Sequence, residues 1–303
     1  MNSRLVLIDA NSLLHRAYHA LPPLTTSKGE QVGAVFGFTS TLLKVFQELK
    51  PEYVIVAWDT KEPTFRHQEY TQYKAHRPEA DPDLIEQFSR THELVSAFSI
   101  PQYEVSGYEA DDIIGTLAKR AADEEQRAKS KEQKDLETII VTGDLDTLQL
   151  IDEKTKVYTP RRGFSDTVLY DEKLVTERYG LVPSQIVDYK ALRGDPSDNI
   201  PGVKGIGEKT AAELLQKFRS LGEVYKHLDK VSARQKKLLS EGQENAFLSR
   251  GLAEIKKDVP IMIDLEKCKL ASYDRKKVLQ LFQELEFRSL IGKLPESDGK
   301  IQE

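Results

Sequence analysis

Short unbroken apolar runs alternate with longer amphipathic stretches over the first half of the chain. Residues 5–8 run into Asp9, residues 53–58 (YVIVAW) run into Asp59, and residues 138–141 (TIIV) are followed by Thr142, Gly143 and Asp144. Each run is rich in branched apolar residues and lacks alternation, the pattern of a strand buried on both faces. Helical periodicity fills 33–49, 83–98 and 110–127 between them. Strands alternating with helices predict an α/β core with a mostly parallel central sheet flanked by helices.

The pattern changes near residue 175, where strand signals stop. Short helices are predicted over 173–179, 183–192, 209–218, 220–227, 232–239 and 241–254. The expected division is therefore 1–175 as the α/β core, 176–292 as a helical region, and 293–303 as a polar tail or the start of a linker. The almost wholly polar stretch 123–137 (DEEQRAKSKEQKDLE) is predicted as a helix extension or a solvated loop.

Composition narrows the class. With 39% hydrophobic and 31% charged residues among 303, the chain has ordinary globular content. No apolar run reaches the ~18–20 residues of a membrane span, and the first apolar run is too short for a signal-peptide core. Cys268 is the single cysteine, so no internal disulfide or multi-thiolate zinc or iron–sulfur site can form. No histidine-built zinc site is expected from the six histidines. These features point to the reducing cytoplasm and to no membrane partner. The net charge of −5 argues at first against nucleic acid. Without the nine carboxylates considered next, it would be +4.

Ligands of open α/β sheets gather at the carboxyl ends of the strands. There the sequence places Asp9, Asp59 and Asp144, with Asp146 two residues on. Any one alone reads as a helix cap or turn residue. Together at one sheet edge they would repel unless something neutralised them. Glu109, Asp111 and Asp112 open a predicted helix, where acids also suit the helix dipole. Asp195 and Asp198 stand three apart in Gly194-Asp195-Pro196-Ser197-Asp198-Asn199, so a helical turn would put both on one face. An oxygen-only donor set suits Mg²⁺ or Mn²⁺ rather than zinc, and two such ions would serve phosphoryl transfer.

Two further segments bear on the partner. In 201–212 (PGVKGIGEKTAA) a Gly-x-Gly turn joins two predicted helices. Glu208 separates Gly207 from Lys209, against a P-loop, and no strand precedes the glycines, against a dinucleotide fingerprint. A sequence-neutral clamp on a phosphate backbone and a plain helix–helix turn both remain open. Residues 66–78 (RHQEYTQYKAHRP) mix cations with aromatics, as a nucleic-acid surface or a solvated amphipathic helix would.

With these segments assembled, the chain resembles the 5′ nuclease domains of bacterial family A DNA polymerases, within the flap-endonuclease superfamily. The matching segments are LVLIDANSLLHRAYHAL, VAWD, TFRHQEYTQYKAHRP, GYEADDIIGTLA, VTGDLDTLQL and ALRGDPSDNIPGVKGIGEKTA, over about residues 4–220. The resemblance implies a PIN-like core, a helical arch near 66–98 and a helix–three-turn–helix element around 201–212. It implies a structure-specific Mg²⁺-dependent 5′–3′ exonuclease or flap endonuclease acting in primer removal and repair. Asp9, Asp59, Glu109, Asp111 and Asp144 are then expected to serve the first metal. Asp146, Asp195 and Asp198 would serve the second, with Asp112 grouped in the metal set as a supporting acid between them. Lys74 and Arg77 are expected on the scissile phosphate, and Tyr73 stacked on the 5′ nucleotide. Gly202, Lys204, Gly205, Gly207, Lys209 and Thr210 would grip duplex DNA, with a place for K⁺ on the hairpin carbonyls. Arg16 is expected either on DNA or in a surface ion pair. The expected partner is DNA with a 5′ end or flap, RNA-primed in some cases, bound by a monomer. The polar tail suggests fusion to a polymerase region. A catalytically inactive junction-binding module and a PIN-type ribonuclease are the rival readings.

Overall fold

The computed structural model describes residues 3–78, 80–127, 135–162, 166–270 and 273–295. The three apolar runs form neighbouring parallel strands, β1 (Ser3–Asp9), β2 (Tyr53–Ala57) and β4 (Leu136–Val141), with β3 (Gln102–Tyr103), β5 (Thr155–Arg162) and β6 (Asp166–Tyr170) completing the sheet. Its order is β3-β2-β1-β4-β5-β6, parallel throughout except for β6, which runs antiparallel to β5. Leu5 of the central strand pairs with Tyr53 on one side and Thr138 on the other.

Strand side chains alternate between faces, and the two faces carry separate cores. Val6, Ile8, Val54, Val56, Ile139 and Val141 pack under α1 (Ala10–Ala20), α2 (Gly33–Leu49) and, past the short α3 (Phe65–Glu69), α4 (Pro82–Ala97). Leu5, Leu7, Ile55, Ala57, Ile140 and Val157 pack under α5 (Ala110–Arg127), through Ile113, Ile114 and Leu117. Both sets are buried, which is why the strands read as apolar without alternation. After the sheet come α6 (Glu172–Tyr179), α7 (Ile186–Arg193), α8 (Glu208–Phe218), α9 (Leu221–Lys226), α10 (Ala233–Glu241) and α11 (Gln243–Ala253). These form a helical region whose own core includes Leu192, Val203, Ile206, Leu214 and Leu215. Among the described residues no helix is long and apolar enough to cross a membrane.

Four expectations change. The edge strands β3 and β6, and β5 beside β6, carry mixed polar and apolar residues and gave no unbroken apolar run. The segment expected as an arch, 66–98, is largely not free: α4 packs into the first core through Leu84, Leu94 and Val95, leaving the turns after α3 to stand over the sheet edge. The helical region does not extend to 292. After α11 the chain returns, and α12 (Arg275–Glu284) and α13 (Arg288–Ile291) place Val278, Leu281, Phe282, Phe287 and Leu290 in the same core as α2 and α4. The expected tail from 293 begins inside this packing: Leu294 is buried, and the Pro295 carbonyl accepts from the Tyr273 hydroxyl at 2.6 Å. Residues 296–303 lie outside the described residues. Of the polar stretch 123–137, residues 123–127 end α5 and 136–137 begin β4, while 128–134 lie outside the described residues.

Phe282 is fully buried against Phe98 and Phe287. Phe282→Ala is expected to cost about 3–5 kcal/mol, the usual range for emptying a packed aromatic site. Urea denaturation measures it. A loss under about 1 kcal/mol would mean that the C-terminal helices are not part of the main core.

Candidate active site

An acid ends β1 or follows β2 and β4 within three residues, and each accepts from a backbone amide at the start of a helix or 3₁₀ turn. Asp9 ends β1 and caps α1, accepting from the Ser12 amide at 3.0 Å and from the Thr142 hydroxyl at 2.8 Å. Burial, then the neighbouring Asp59 charge, pushes its carboxyl up to about 7. Asp59 follows β2 and accepts from the Ala110 amide at 2.7 Å, at the start of α5; burial raises its pKa as well. Asp144 follows β4 and caps the 3₁₀ turn Leu145–Leu150. Asp111 is half-buried, desolvation raises its pKa well above the ordinary carboxylate value, and its Oδ1 is buried with no hydrogen-bond partner. Asp9, Asp59, Glu109, Asp111 and Asp144 line one open cleft of about 570 Å³, together with Lys74 and Arg77.

The second group is held by cations. Lys190, on α7, bonds both Asp146 and Asp195, the latter at 2.5 Å. Asp146 is nevertheless raised to about 7, because burial and Asp144 outweigh the lysine. Asp195 is lowered: burial alone would raise it, but Lys190 and the Ser197 hydrogen bonds prevail. Asp198 takes the Arg77 guanidinium at 2.5 Å and the Tyr73 hydroxyl at 3.2 Å. Lys74 Nζ lies 2.9 Å from Glu109 and 3.9 Å from Asp198. Its burial favours the neutral amine, but the two carboxylates overcome this and raise its pKa.

Two residues have other places than expected. Tyr73 is 3% exposed, packed beside Ile200, Leu252 and Ala253 with its hydroxyl on Glu109 and Asp198, so its ring is not offered to a nucleotide. Asp112 is no metal ligand here: both its oxygens are taken, by Arg66 at 2.7 and 2.8 Å and by the amides of Glu109 and Lys256. Sequence reasoning passed over Arg66 and Lys190. Arg66 is 1% exposed and also donates to the carbonyls of Leu252 and Glu254. The signal for Lys190 was a lysine on the otherwise buried face of α7, five residues before Asp195.

The hairpin glycines differ in what they are for. Gly202 has φ +61°, and a Cβ there would meet the Gly194 backbone at 2.2 Å. Gly205 has φ +89°. Both are explained by the chain's own backbone. Gly207 has an ordinary φ of −96°, precedes α8, and a Cβ there would meet nothing within 4 Å. Val203 and Ile206 anchor the hairpin in the helical core, while Lys204, Gly207 and Lys209 are exposed and Thr210 is half-buried. Arg16 lies outside the acidic cleft, in a neighbouring groove that shares Gly143 with it.

Among the described residues no three histidine, cysteine or acidic side chains form a ready-made cage for an ion. The donors nonetheless fit a hard divalent cation. Asp111 Oδ1 is buried without a partner, and Asp9, Asp59 and Asp144 crowd the same cleft.

The crowding has a pH signature. In the ion-free folded state Asp9 and Asp146 keep protons that the unfolded chain, with ordinary carboxylates near 4, has released. Folding therefore takes up protons between about pH 4 and 7, and this part of the stability falls as pH rises through that window. Asp9→Asn keeps the acceptor for Ser12 and removes the titration. It should stabilise the ion-free protein at pH 7.5 by on the order of 2 kcal/mol and flatten the profile relative to wild type. Urea melts in EDTA from pH 5 to 8 measure the difference; parallel profiles would count against a proton-holding Asp9.

Residues 4–180 match the family model "5′-3′ exonuclease, N-terminal resolvase-like domain", and residues 181–276 match "5′-3′ exonuclease, C-terminal SAM fold". Over 97% of its length the chain is 43% identical to DNA polymerase I of Bacillus caldotenax, and over 96% it is 46% identical to DNA polymerase I of Chloroflexus aurantiacus. It spans about a third of those proteins, 32% and 31% of their lengths. The fold is also that of the bacteriophage T5 flap endonuclease solved with DNA and metal ions, at a TM-score of 0.65 and 20% identity over 96% of this chain and 98% of that one. On the family matches over both its parts, this chain belongs to the 5′–3′ exonuclease family.

Proposed function

We propose that this chain is a structure-specific 5′ nuclease that hydrolyses DNA phosphodiesters at 5′ ends and 5′ flaps, using two divalent ions, Mg²⁺ or Mn²⁺. The observation that carries this is the cleft itself. Carboxylates from three strand ends and from the start of α5 face the same space as Lys74 and Arg77, and one carboxylate oxygen there is buried without a partner. The DNA polymerase names of the relatives support a role in primer removal and repair, beside a polymerase region and in the cytoplasm.

Asp9, Asp59, Glu109, Asp111 and Asp144 would hold the first ion, and Asp146, Asp195 and Asp198 the second. Bound divalent ions would supply Lewis acidity to the phosphoryl oxygens and acidify a water. The protein's own side chains do the rest. Lys74 and Arg77 now neutralise Glu109 and Asp198 from the side of the open cleft. With the carboxylates otherwise neutralised, both cations are free to turn to the reacting phosphate and to charge that grows in the transition state. Lys190 keeps Asp146 and Asp195 together, and Arg66 fixes the start of α5 through Asp112. The exposed face of the 201–212 hairpin would hold the duplex arm by its backbone, with a place for K⁺ on its carbonyls. Such a contact carries no base identity.

Asp144→Ala tests the reading. Cleavage of a 5′-flap DNA should be abolished in Mg²⁺ while the fold and its melting temperature hold or improve, since one charge leaves a crowded cluster. Wild type is run beside it on the same flap and on a matched single-stranded RNA. A wild type that cuts only the RNA, or an Asp144→Ala variant that cuts the flap at the wild-type rate, would overturn the proposal.

Gly207→Val tests the hairpin. The fold has room for the side chain, so the variant should fold, yet bind a long-armed flap more weakly than wild type and with a shallower dependence on salt, because fewer counterions are released. A short single strand should be bound equally by both. Titrations in Ca²⁺ on two flaps of unrelated sequence give the answer; equal slopes and affinities would leave the hairpin a plain helix–helix turn.

A further inference from the structure

The acidic cleft has a neighbour. On the other side of Gly143 lies a groove of about 680 Å³, lined by Arg16, Leu145, Thr159, Tyr170, Leu174 and Arg178 among others. Gly143 lines both spaces, so the two meet at the loop that carries Asp144. The groove is built from β5, β6, α6 and α1; of its lining residues only Arg16, on α1, has been given an expected place on DNA.

Arg178 is the feature of this groove that asks for a ligand. Its guanidinium lies 5.8 Å from the centroid of the Tyr170 ring and 5.3 Å from that of Tyr179, and its Nη1 donates to the Tyr170 hydroxyl at 2.5 Å. Among the described residues no carboxylate pairs with it, in contrast to Arg66, Lys74, Arg77 and Lys190, each of which has one or two. The acid at the rim, Glu177, faces Lys173 at 3.8 Å. Arg178 is exposed, and a hydrated guanidinium oriented by two aromatic rings, with no carboxylate beside it among the described residues, is open to an anion that comes from outside. A guanidinium presents its donors in a rigid fork that suits a phosphate.

We propose that this groove is a second strand-binding subsite, in which Arg178 takes a backbone phosphate of the DNA strand that passes over Gly143 from the acidic cleft. The inference rests on the nuclease reading above and adds to it a direction for the strand. A chain of phosphates whose reacting member sits among Asp9, Asp59 and Asp144 would continue past Gly143, the residue that lines both spaces. Arg178 then holds a phosphate that does not react, and its contribution is to affinity and register rather than to the chemical step.

The experiment measures affinity for a 5′-flap DNA in Ca²⁺ across a salt series, for wild type, Arg178→Gln and Arg178→Lys. It is repeated with flaps in which single phosphates near the junction are replaced by neutral methylphosphonates. Arg178→Gln should bind about tenfold more weakly, as expected for one charge-assisted contact, with a salt slope shallower by about one. Arg178→Lys should recover the slope. One methylphosphonate position should weaken wild type and leave Arg178→Gln unchanged. Equal affinity and slope for wild type and folded Arg178→Gln would overturn the subsite. If Arg178→Gln does not fold, the uncharged Arg178→Met takes its place in the scan: no position whose penalty differs between it and wild type also overturns the subsite. A wild type that does not bind the flap at all would instead overturn the nuclease reading.

Discussion

Like charges packed at one edge of a sheet repel, and much of this molecule is arranged around that repulsion. Parallel strands bring Asp9, Asp59 and Asp144 to the same edge because each central strand points the same way. α5 adds Glu109 and Asp111 from the side, and α7 with its following turn adds Asp195 and Asp198. Two responses follow. Some carboxylates keep protons, as Asp9 and Asp146 do with values pushed to about 7. Others recruit cations from distant parts of the chain: Arg66 and Lys74 from the segment after β2, and Lys190 from the helical region. Breaking one of these buried pairs leaves an uncompensated charge, which is costly, so the acidic site and the packing of its neighbours cannot be separated.

Much of this was legible in the residues. The three central strands were readable because burial on both faces removes polar residues, and the helices because their apolar faces recur at helical spacing. The acids were readable because strand ends mark the ligand edge of such sheets. What was not legible depends on long-range packing. The edge strand β6 is only partly buried, and β5, though mostly buried, carries Thr155, Lys156, Thr159 and Pro160 in place of an unbroken apolar run. Nothing local in 273–295 says that Phe282 will lie against Phe98. A motif gives nearness in sequence but not direction, which is why Tyr73 was expected on a nucleotide and instead bonds Glu109 and Asp198, and why Asp112 was grouped with ligands although Arg66 occupies it. Gly202 and Gly205 looked like phosphate-approach positions, yet the backbone of the chain itself needs them.

The helical region is tied to the sheet at both of its ends. Lys190 fastens α7 to Asp146, and Arg66 fastens the end of α11 through the carbonyls of Leu252 and Glu254. Gly202 packs directly on Gly194, so the acidic turn 195–199 and the hairpin share one backbone junction. With no slack at either end, the hairpin and the acid set stand as the two fixed jaws of a caliper. On the nuclease proposal, a duplex seated on the outer jaw would reach the inner one after a set number of base pairs. The place of the cut would then be counted along the helix from the gripped arm, and the length of a flap beyond the junction would not enter the count.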